Sequence, residues 1–303
     1  MTAVRFDGRV AIITGAGGGL GRAHALLLGS RGAKIVVNDM GGNSDGTGEG
    51  TAMADQVCEE IKVAGGEAVP NYDSVVTAAG GENIVRTAMG AFGRVDILIN
   101  NAGILRDSTF IKMAEEDWDN VIGVHLKGSY NVTKAAWPIM REMGYGRIIM
   151  TTSSAGLFGN FGQANYGSAK MGVVGLMNVL KQEGGKYNIL INTIAPVAGT
   201  RMTAAVLPPD LKEKLKAEFV SLMVAWLCSE GSTEQGSIFT VGGGYFARVA
   251  LVEGAGFMMP PTGKTMTIED IRDNFDKIAN MEGAKEYNSA MEEMSKAMGN
   301  PSS

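Results

Sequence analysis

Short, wholly apolar runs alternate along the chain with longer stretches in which apolar side chains recur every three or four residues. Val10-Ala11-Ile12-Ile13-Thr14, Lys34-Ile35-Val36-Val37-Asn38, Val95-Asp96-Ile97-Leu98-Ile99-Asn100, Arg147-Ile148-Ile149-Met150-Thr151 and Ile189-Leu190-Ile191-Asn192-Thr193 are of the first kind. Strands that are apolar continuously, rather than at alternate positions, are covered on both faces of their sheet. Helical periodicity occupies about 20–31, 49–64, 76–92, 115–143 and 164–184. This β-α-β-α rhythm predicts an α/β fold built on a doubly wound parallel sheet, with a last strand near Ser237–Val241 closing the core.

The tail reads differently. Beyond residue 245 come glycines, methionines and Pro260-Pro261, then two helical patterns. The first opens at Thr267-Ile268-Glu269-Asp270, a capping-box pattern that satisfies orphan backbone donors. It places Ile268, Ile271, Phe275 and Ile278 on one face, and the second places Tyr287, Met291, Met294 and Met298 on one stripe. Such stripes are read as core or subunit packing. The predicted division is residues 1–245 as one dinucleotide-binding domain and 246–303 as a helical extension.

Composition removes several function classes. A net charge of −5 with dispersed signs offers no basic nucleic-acid surface. No run approaches the roughly 18 apolar residues of a membrane span. The N-terminus lacks the apolar stretch of a signal peptide, and the C-terminus is not a peroxisomal tripeptide. The two cysteines, Cys58 and Cys228, have no partner at metal-ligand spacing and are read as buried thiols in a reducing compartment. A soluble cytoplasmic protein without a metal is expected.

Thr14-Gly15-Ala16-Gly17-Gly18-Gly19-Leu20-Gly21 joins the first strand to the first helix. Backbone amides at such a turn face outward at the positive end of the helix, which suits a pyrophosphate. The glycine spacing is weak by itself in a chain with 43 glycines. Its position, after an apolar strand and opening a helix, strengthens it. Asp39 ends the next strand, where a carboxylate can accept from ribose hydroxyls and would repel a 2′-phosphate. NAD is therefore expected over NADP, although Arg22 in the same turn could attract a phosphate.

Tyr166 and Lys170 stand at i and i+4 and share a helix face. A free phenol titrates near pKa ~10, and an adjacent fixed cation lowers that value toward useful acid–base chemistry. The pair follows Ser153, at the carboxyl end of the strand Arg147–Thr151, where open α/β sheets bind ligands.

The Thr14–Gly21 turn, Asn100-Asn101-Ala102-Gly103, Ser153, and Tyr166 with Lys170, in this order, resemble the short-chain dehydrogenase/reductase family over about residues 8–245, a Rossmann-type fold. The resemblance implies that Tyr166 exchanges the proton, Lys170 holds the nicotinamide ribose and tunes Tyr166, and Ser153 hydrogen-bonds the reacting oxygen. It implies NAD contacts at Gly15, Gly19, Leu20, Gly21, Asp39, Asp73, Ser74, Asn101, Ala102, Gly103, Tyr166, Lys170, Pro196 and Thr200, with Asp73 and Ser74 at the adenine. Two positions depart from the family pattern. His125 stands where the family has a relay-supporting asparagine, and acts in the relay or replaces that asparagine's backbone hydrogen bond. The usual Pro-Gly is Pro196-Val197, with Thr200-Arg201-Met202 one residue early.

Within the family, Asn38-Asp39-Met40-Gly41-Gly42 with its glycine-rich insertion, Ile104-Leu105-Arg106-Asp107, Gly159–Tyr166, Ala198–Thr203 and Met266–Asn274 resemble the (3R)-hydroxyacyl-CoA dehydrogenase part of type 2 peroxisomal multifunctional enzymes. His125-Leu126-Lys127-Gly128 fits that subgroup too. This implies oxidation of a (3R)-hydroxyacyl-CoA to the 3-ketoacyl-CoA, as in fatty acid β-oxidation. Segment 200–220 is then a substrate-covering lid. Its lysines, Arg106 and Arg248 either meet CoA phosphates or lie on solvated faces. A hydroxysteroid dehydrogenase uses the same trio, and a non-catalytic dinucleotide sensor or scaffold is the alternative of another class. The resemblance also implies a homodimer or higher homo-oligomer through the helices near 115–143 and 164–184.

Overall fold

A computed structural model of the chain describes residues 3–199, 214–258 and 265–297. Eight strands form one sheet: β1 (Val10–Thr14), β2 (Lys34–Asn38), β3 (Glu67–Asn71), β4 (Ile97–Asn100), β5 (Gly146–Thr151), β6 (Ile189–Pro196), β7 (Ile238–Gly242) and β8 (Tyr245–Val249), in the order β3-β2-β1-β4-β5-β6-β7-β8. β1 to β7 pair in parallel, with Val10 opposite Lys34 and Ile97 opposite Arg147. The order runs outward from β1 to β3, then resumes with β4 on the other side of β1. That reversal opens a crevice outside the carboxyl ends of β1 and β4.

Both faces of the sheet are buried, as continuous apolar strands require. Ala11, Ile13, Ile35, Val37, Ile97 and Ile99 pack on one face with α1 (Gly19–Ser30), α2 (Ala52–Val63) and α8 (Ala217–Cys228). Val10, Ile12, Val36, Leu98, Ile148 and Met150, equally buried, lie at the alternate positions. α3 (Ala78–Phe92), α5 (Gly128–Met143) and α7 (Ala164–Gly184) pack against the sheet and one another. Cys58 and Cys228 are free, and burial pushes their thiols up to about 11 and about 12. Thiols so far from ionising are inert.

Three differences from the sequence reading have physical causes. The single helix expected over 115–143 is α4 (Glu115–Ile122) and α5, joined by a wide turn at Gly123–Lys127 in which Gly128 N–H bonds the Gly123 carbonyl, five residues back. A strand does precede Asp73 as expected: β3 carries Pro70, and lies at the edge of the sheet, where a missing backbone donor is tolerated. β8 was not expected, because Tyr245 and Phe246 are exposed and give no buried run. Its two-residue connection, Gly243-Gly244, has φ of 57° and 82°, the left-handed region that glycine adopts freely. Finally, α8 contains residues 217–220 of the expected lid, and Val220 is fully buried in the core. Residues 200–213 of that lid, Thr200 among them, lie outside the described residues, as do Pro260-Pro261 and Met298.

The chain divides into two compact units, Met1–Arg248 and Val249–Ser303. In the second, Glu253 and Lys285 exchange two backbone hydrogen bonds of 2.9 Å. The first tail helix is two short ones, α9 (Ile268–Asp273) and α10 (Phe275–Ile278), and Thr267 with Asp270 forms the capping box. The second pattern is α11 (Ala290–Ala297), which begins after Tyr287. Among the described residues no helix is long and apolar enough to cross a membrane.

Candidate active site

The glycine turn is shaped by contacts that leave no room for side chains. A Cβ on Gly21 would lie 2.3 Å from the Gly15 carbonyl oxygen, and Gly15 itself has φ of 64°. Gly18 precedes α1 without any side-chain cap, and the first turn of α1 carries no acidic residue, so its amides remain open to an anion. Asn101 ties this turn to the end of β4: its Nδ2 donates to the carbonyls of Thr14 (2.9 Å) and Gly15 (3.0 Å). The Thr14 hydroxyl accepts from the amides of Asn101 and Ala102 at 3.0 Å each. Thr14 was not singled out from the sequence, because a hydroxyl closing a strand leaves no periodic signal.

At the end of β2 the Asp39 carboxylate accepts from Gly17 N–H (2.8 Å) and Gly41 N–H (2.7 Å). Both oxygens are thereby oriented with lone pairs to spare for hydroxyls. Arg22 turns away from the glycine loop and pairs with Glu60 of α2, which removes it as a phosphate ligand. Asp73 is pinned by Asn71 (2.8 Å) and Asn83 (3.0 Å). Gly15, Gly19, Leu20, Asp39, Asp73, Ser74, Asn101, Ala102 and Gly103 line one cavity of about 310 Å³. Gly21 is not among the residues that line it. The residues present fit a dinucleotide: an amide-rich turn for the pyrophosphate, a carboxylate for the ribose, and glycines at Gly15 and Gly103 where a Cβ would clash with the surrounding chain.

The chemical corner adjoins this cavity through Gly103, where a Cβ would meet the His125 ring at 2.3 Å. Ser153 caps the short helix α6 (Ser154–Phe158), its hydroxyl accepting from Ala155 N–H at 3.2 Å, and its side chain is near enough to the Tyr166 phenol to favour the ionised form. The His125 ring meets the Tyr166 ring edge-on, with centroids 5.1 Å apart. Lys170 is buried, with Nζ 5.4 Å from the Tyr166 ring centroid and donating to the Thr151 carbonyl at 2.7 Å. Pro196 ends β6 at the same carboxyl edge but does not line the cavity.

Electrostatically this corner differs from the expectation for a helix-surface pair. Burial raises the Tyr166 phenol, and the neighbouring Ser153 side chain opposes that only in part. Burial also lowers the Lys170 ammonium to about 7. The expected lowering of Tyr166 by Lys170 is thus reversed, because both groups sit in a low-dielectric interior where the neutral forms win. Burial, then the Lys170 charge, holds His125 well below the usual imidazole range and hence neutral. His125 Nε2 lies 2.8 Å from the Ile104 carbonyl and 3.1 Å from its N–H, so it bonds one or the other according to tautomer. The ring therefore holds the backbone of the Asn101–Ile104 loop.

Other residues are occupied. Arg248 Nε donates to Ser237 Oγ at 3.3 Å. Arg106 bonds Asp117 Oδ1 and the Asp45 carbonyl. Among the described residues no cluster of three or more His, Cys, Asp or Glu could hold a metal.

A glycine-lined crevice at the reversal of a parallel sheet, with a serine–tyrosine pair and a buried lysine at its end, defines an oxidoreductase of the dinucleotide-binding α/β class. The short chain dehydrogenase family model matches residues 9–210, more than half of the chain, and the chain belongs to that family. It is 54% identical over 279 residues to a Mycobacterium tuberculosis chain described as a short-chain type dehydrogenase/reductase, covering 91% of this chain and 96% of the relative. It is 52% identical over 281 residues to the peroxisomal multifunctional enzyme type 2 of Mus musculus, covering 93% of this chain and 38% of that enzyme. The structure of the full-length Drosophila melanogaster peroxisomal multifunctional enzyme type 2 superposes with a TM-score of 0.82 at 41% identity, over 97% of this chain and 49% of that one. This chain thus spans less than half the length of both multifunctional relatives.

Proposed function

We propose that the protein interconverts a (3R)-hydroxyacyl-CoA and its 3-ketoacyl-CoA with NAD as hydride partner. The observation that carries the reading is the gathering of Tyr166 with the His125 ring, 5.1 Å away between centroids, and the buried Lys170 ammonium, 5.4 Å from the ring, beside Ser153 at the carboxyl edge of the sheet. When bound, the dinucleotide supplies a ring carbon that accepts or returns a hydride. Gly15–Leu20 and Asp39 would hold it, with Asp73 and Ser74 at the adenine and Tyr166 and Lys170 at the nicotinamide end. Asp39 supports NAD over NADP.

In the reductive direction Ser153 donates to the keto oxygen, and the protonated Tyr166 phenol gives that oxygen its proton as hydride adds to the carbon. Oxidation reverses both: the C3–H electron pair leaves as hydride and the hydroxyl proton returns to the Tyr166 phenolate. The raised Tyr166 value keeps the phenol loaded as an acid at rest. His125, held on Ile104, supports the relay indirectly by fixing the loop against Tyr166. Phe110 and Ile111, and Phe158 and Phe161, are exposed on two segments tied together by the Ser108–Gln163 bridge just before Tyr166. They favour a long apolar substrate, and the resemblance of the chain's motifs to the (3R)-hydroxyacyl-CoA dehydrogenase subgroup favours the acyl-CoA class over a free steroid. The protein would act as a homodimer or higher oligomer, in the cytoplasm, with residues 1–245 carrying the chemistry and 246–303 as an extension.

The test is NAD reduction assayed against (3R)- and (3S)-hydroxyacyl-CoA of several chain lengths and against free hydroxysteroids. Turnover of the (3R) series alone is expected. Inactivity on both epimers at every length retires the acyl-CoA assignment, and turnover of steroids alone replaces it.

A further inference from the structure

The glycine-rich insertion after β2 is a closed strap. Gly50 N–H bonds the Met40 carbonyl at 2.7 Å, and Asn43 N–H bonds Thr47 O at 2.7 Å. Gly42, Ser44 and Gly46 line the dinucleotide cavity. The strap is fastened across that cavity at two points: Leu105 N–H donates to Ser44 O at 2.9 Å, and Arg106 Nε donates to Asp45 O at 3.0 Å. Arg106 also reaches α4, with Nη1 3.1 Å from Asp117 Oδ1 and 3.6 Å from Glu116 Oε1.

The same residue faces the chemistry through its main chain. The Arg106 carbonyl accepts from Asn165 Nδ2 at 3.0 Å, and the Asp117 carbonyl accepts from the same nitrogen at 3.2 Å. Asn165 is fully buried. Its Oδ1 accepts from Tyr166 N–H at 2.7 Å, satisfying one of the orphan donors in the first turn of α7. An unbroken series of hydrogen bonds thus runs from the strap along the cavity, through Arg106 and Asn165, to the backbone of Tyr166.

We propose that Arg106 and Asn165 are positioning residues that couple closure of the strap to the placement of Tyr166, so that the tyrosine is held firmly only while the strap is fastened. Neither residue touches the reacting atoms. The inference rests on the catalytic reading of Tyr166, but its physical content does not depend on the substrate. A planar guanidinium that grips a carbonyl and a carboxylate at once is suited to this bracket.

Amide hydrogen exchange in Arg106→Ala tests the coupling without any substrate. The substitution leaves the Arg106 carbonyl in place, so only the strap and α4 contacts are cut directly. Exchange at Leu105 N–H and at Tyr166 N–H is expected to rise together, roughly fivefold or more, while the Ile99 amide in β4 stays protected. Faster exchange at Leu105 with Tyr166 unchanged overturns the coupling, as does no change at either. If Arg106→Ala fails to fold, Arg106→Lys is read in the same way. In kinetics, Asn165→Ala is expected to lower kcat severalfold at saturating cofactor while the NAD dissociation constant is nearly unchanged. A loss confined to NAD affinity counts against the proposal. An enzyme inactive on every acyl-CoA would retire the substrate assignment and leave the exchange result standing.

Discussion

The two halves of the cleft are made of different materials. On the cofactor side the working groups are mostly backbone: open amides at the head of α1, a turn so tight that a Cβ on Gly21 would come within 2.3–2.9 Å of its neighbours, and one carboxylate oriented by two N–H donors. On the chemical side they are side chains, three of them buried or nearly so, with proton affinities displaced by burial. A backbone site is selected by shape and tolerates change in side chains that point away. A buried side-chain site is selected by charge, and the removal of one atom disables it.

That contrast makes graded predictions. Tyr166→Phe removes a single oxygen and is expected to lower turnover by about 10²- to 10⁴-fold, the range of a general acid–base group. Fluorescence titration should find the NAD dissociation constant almost unaltered, and retention of most of the turnover would move the proton to another group. The second prediction concerns a buried side chain on the cofactor side. His24 in α1 is bonded to Ser221 of α8 at 2.7 Å, and burial lowers it to about 3. Its folded value lies below the ordinary 6.5, so the unfolded chain takes up a proton that the native one refuses between those limits. Its contribution to stability is complete above pH 6.5 and is lost toward pH 3, at about 1.4 kcal/mol per pH unit inside that window. Urea unfolding of His24→Asn should show a shallower acid slope than the parent; parallel slopes would locate the acid sensitivity elsewhere. The smallest effect is expected at Asp39→Asn, which keeps an acceptor but loses the charge. The ratio of kcat/KM for NAD over NADP should narrow by about tenfold, the worth of a charge-assisted hydrogen bond. An unchanged ratio would assign discrimination to the turn itself.

Much of the first unit was legible because its strands are buried on both faces. β1 and β2 fall on the expected residues, and α7 spans the expected 164–184. β3 was harder, since Glu67-Ala68-Val69-Pro70-Asn71 is short and carries a proline that only an edge position permits. The cofactor turn, Asp39 and the Ser153–Tyr166–Lys170 set could be named from spacing and context. Their electrostatics could not, because the sign of a pKa shift depends on depth below the surface, which no spacing encodes. Arg106 was ambiguous and Asn165 was passed over for a related reason. Side chains that bond to carbonyls of distant loops have no period, and become visible only when the loops are brought together.

The wide turn at Gly123–Lys127 carries a further consequence. Each residue added to or taken from a helix turns everything beyond it by about 100°. Upstream, Asp117 meets Arg106 and Asn120 lines the cavity; downstream, Asn131 donates to the carbonyls of Val75 and Val76 at 2.9 Å each. The surplus residue works as a phase offset that lets both sets aim correctly from one rod. Between them, Ser129 Oγ donates to the His125 carbonyl at 2.6 Å. Deleting one residue here would give a more regular helix and a mis-indexed enzyme, so the irregularity is the alignment mark of the whole cleft.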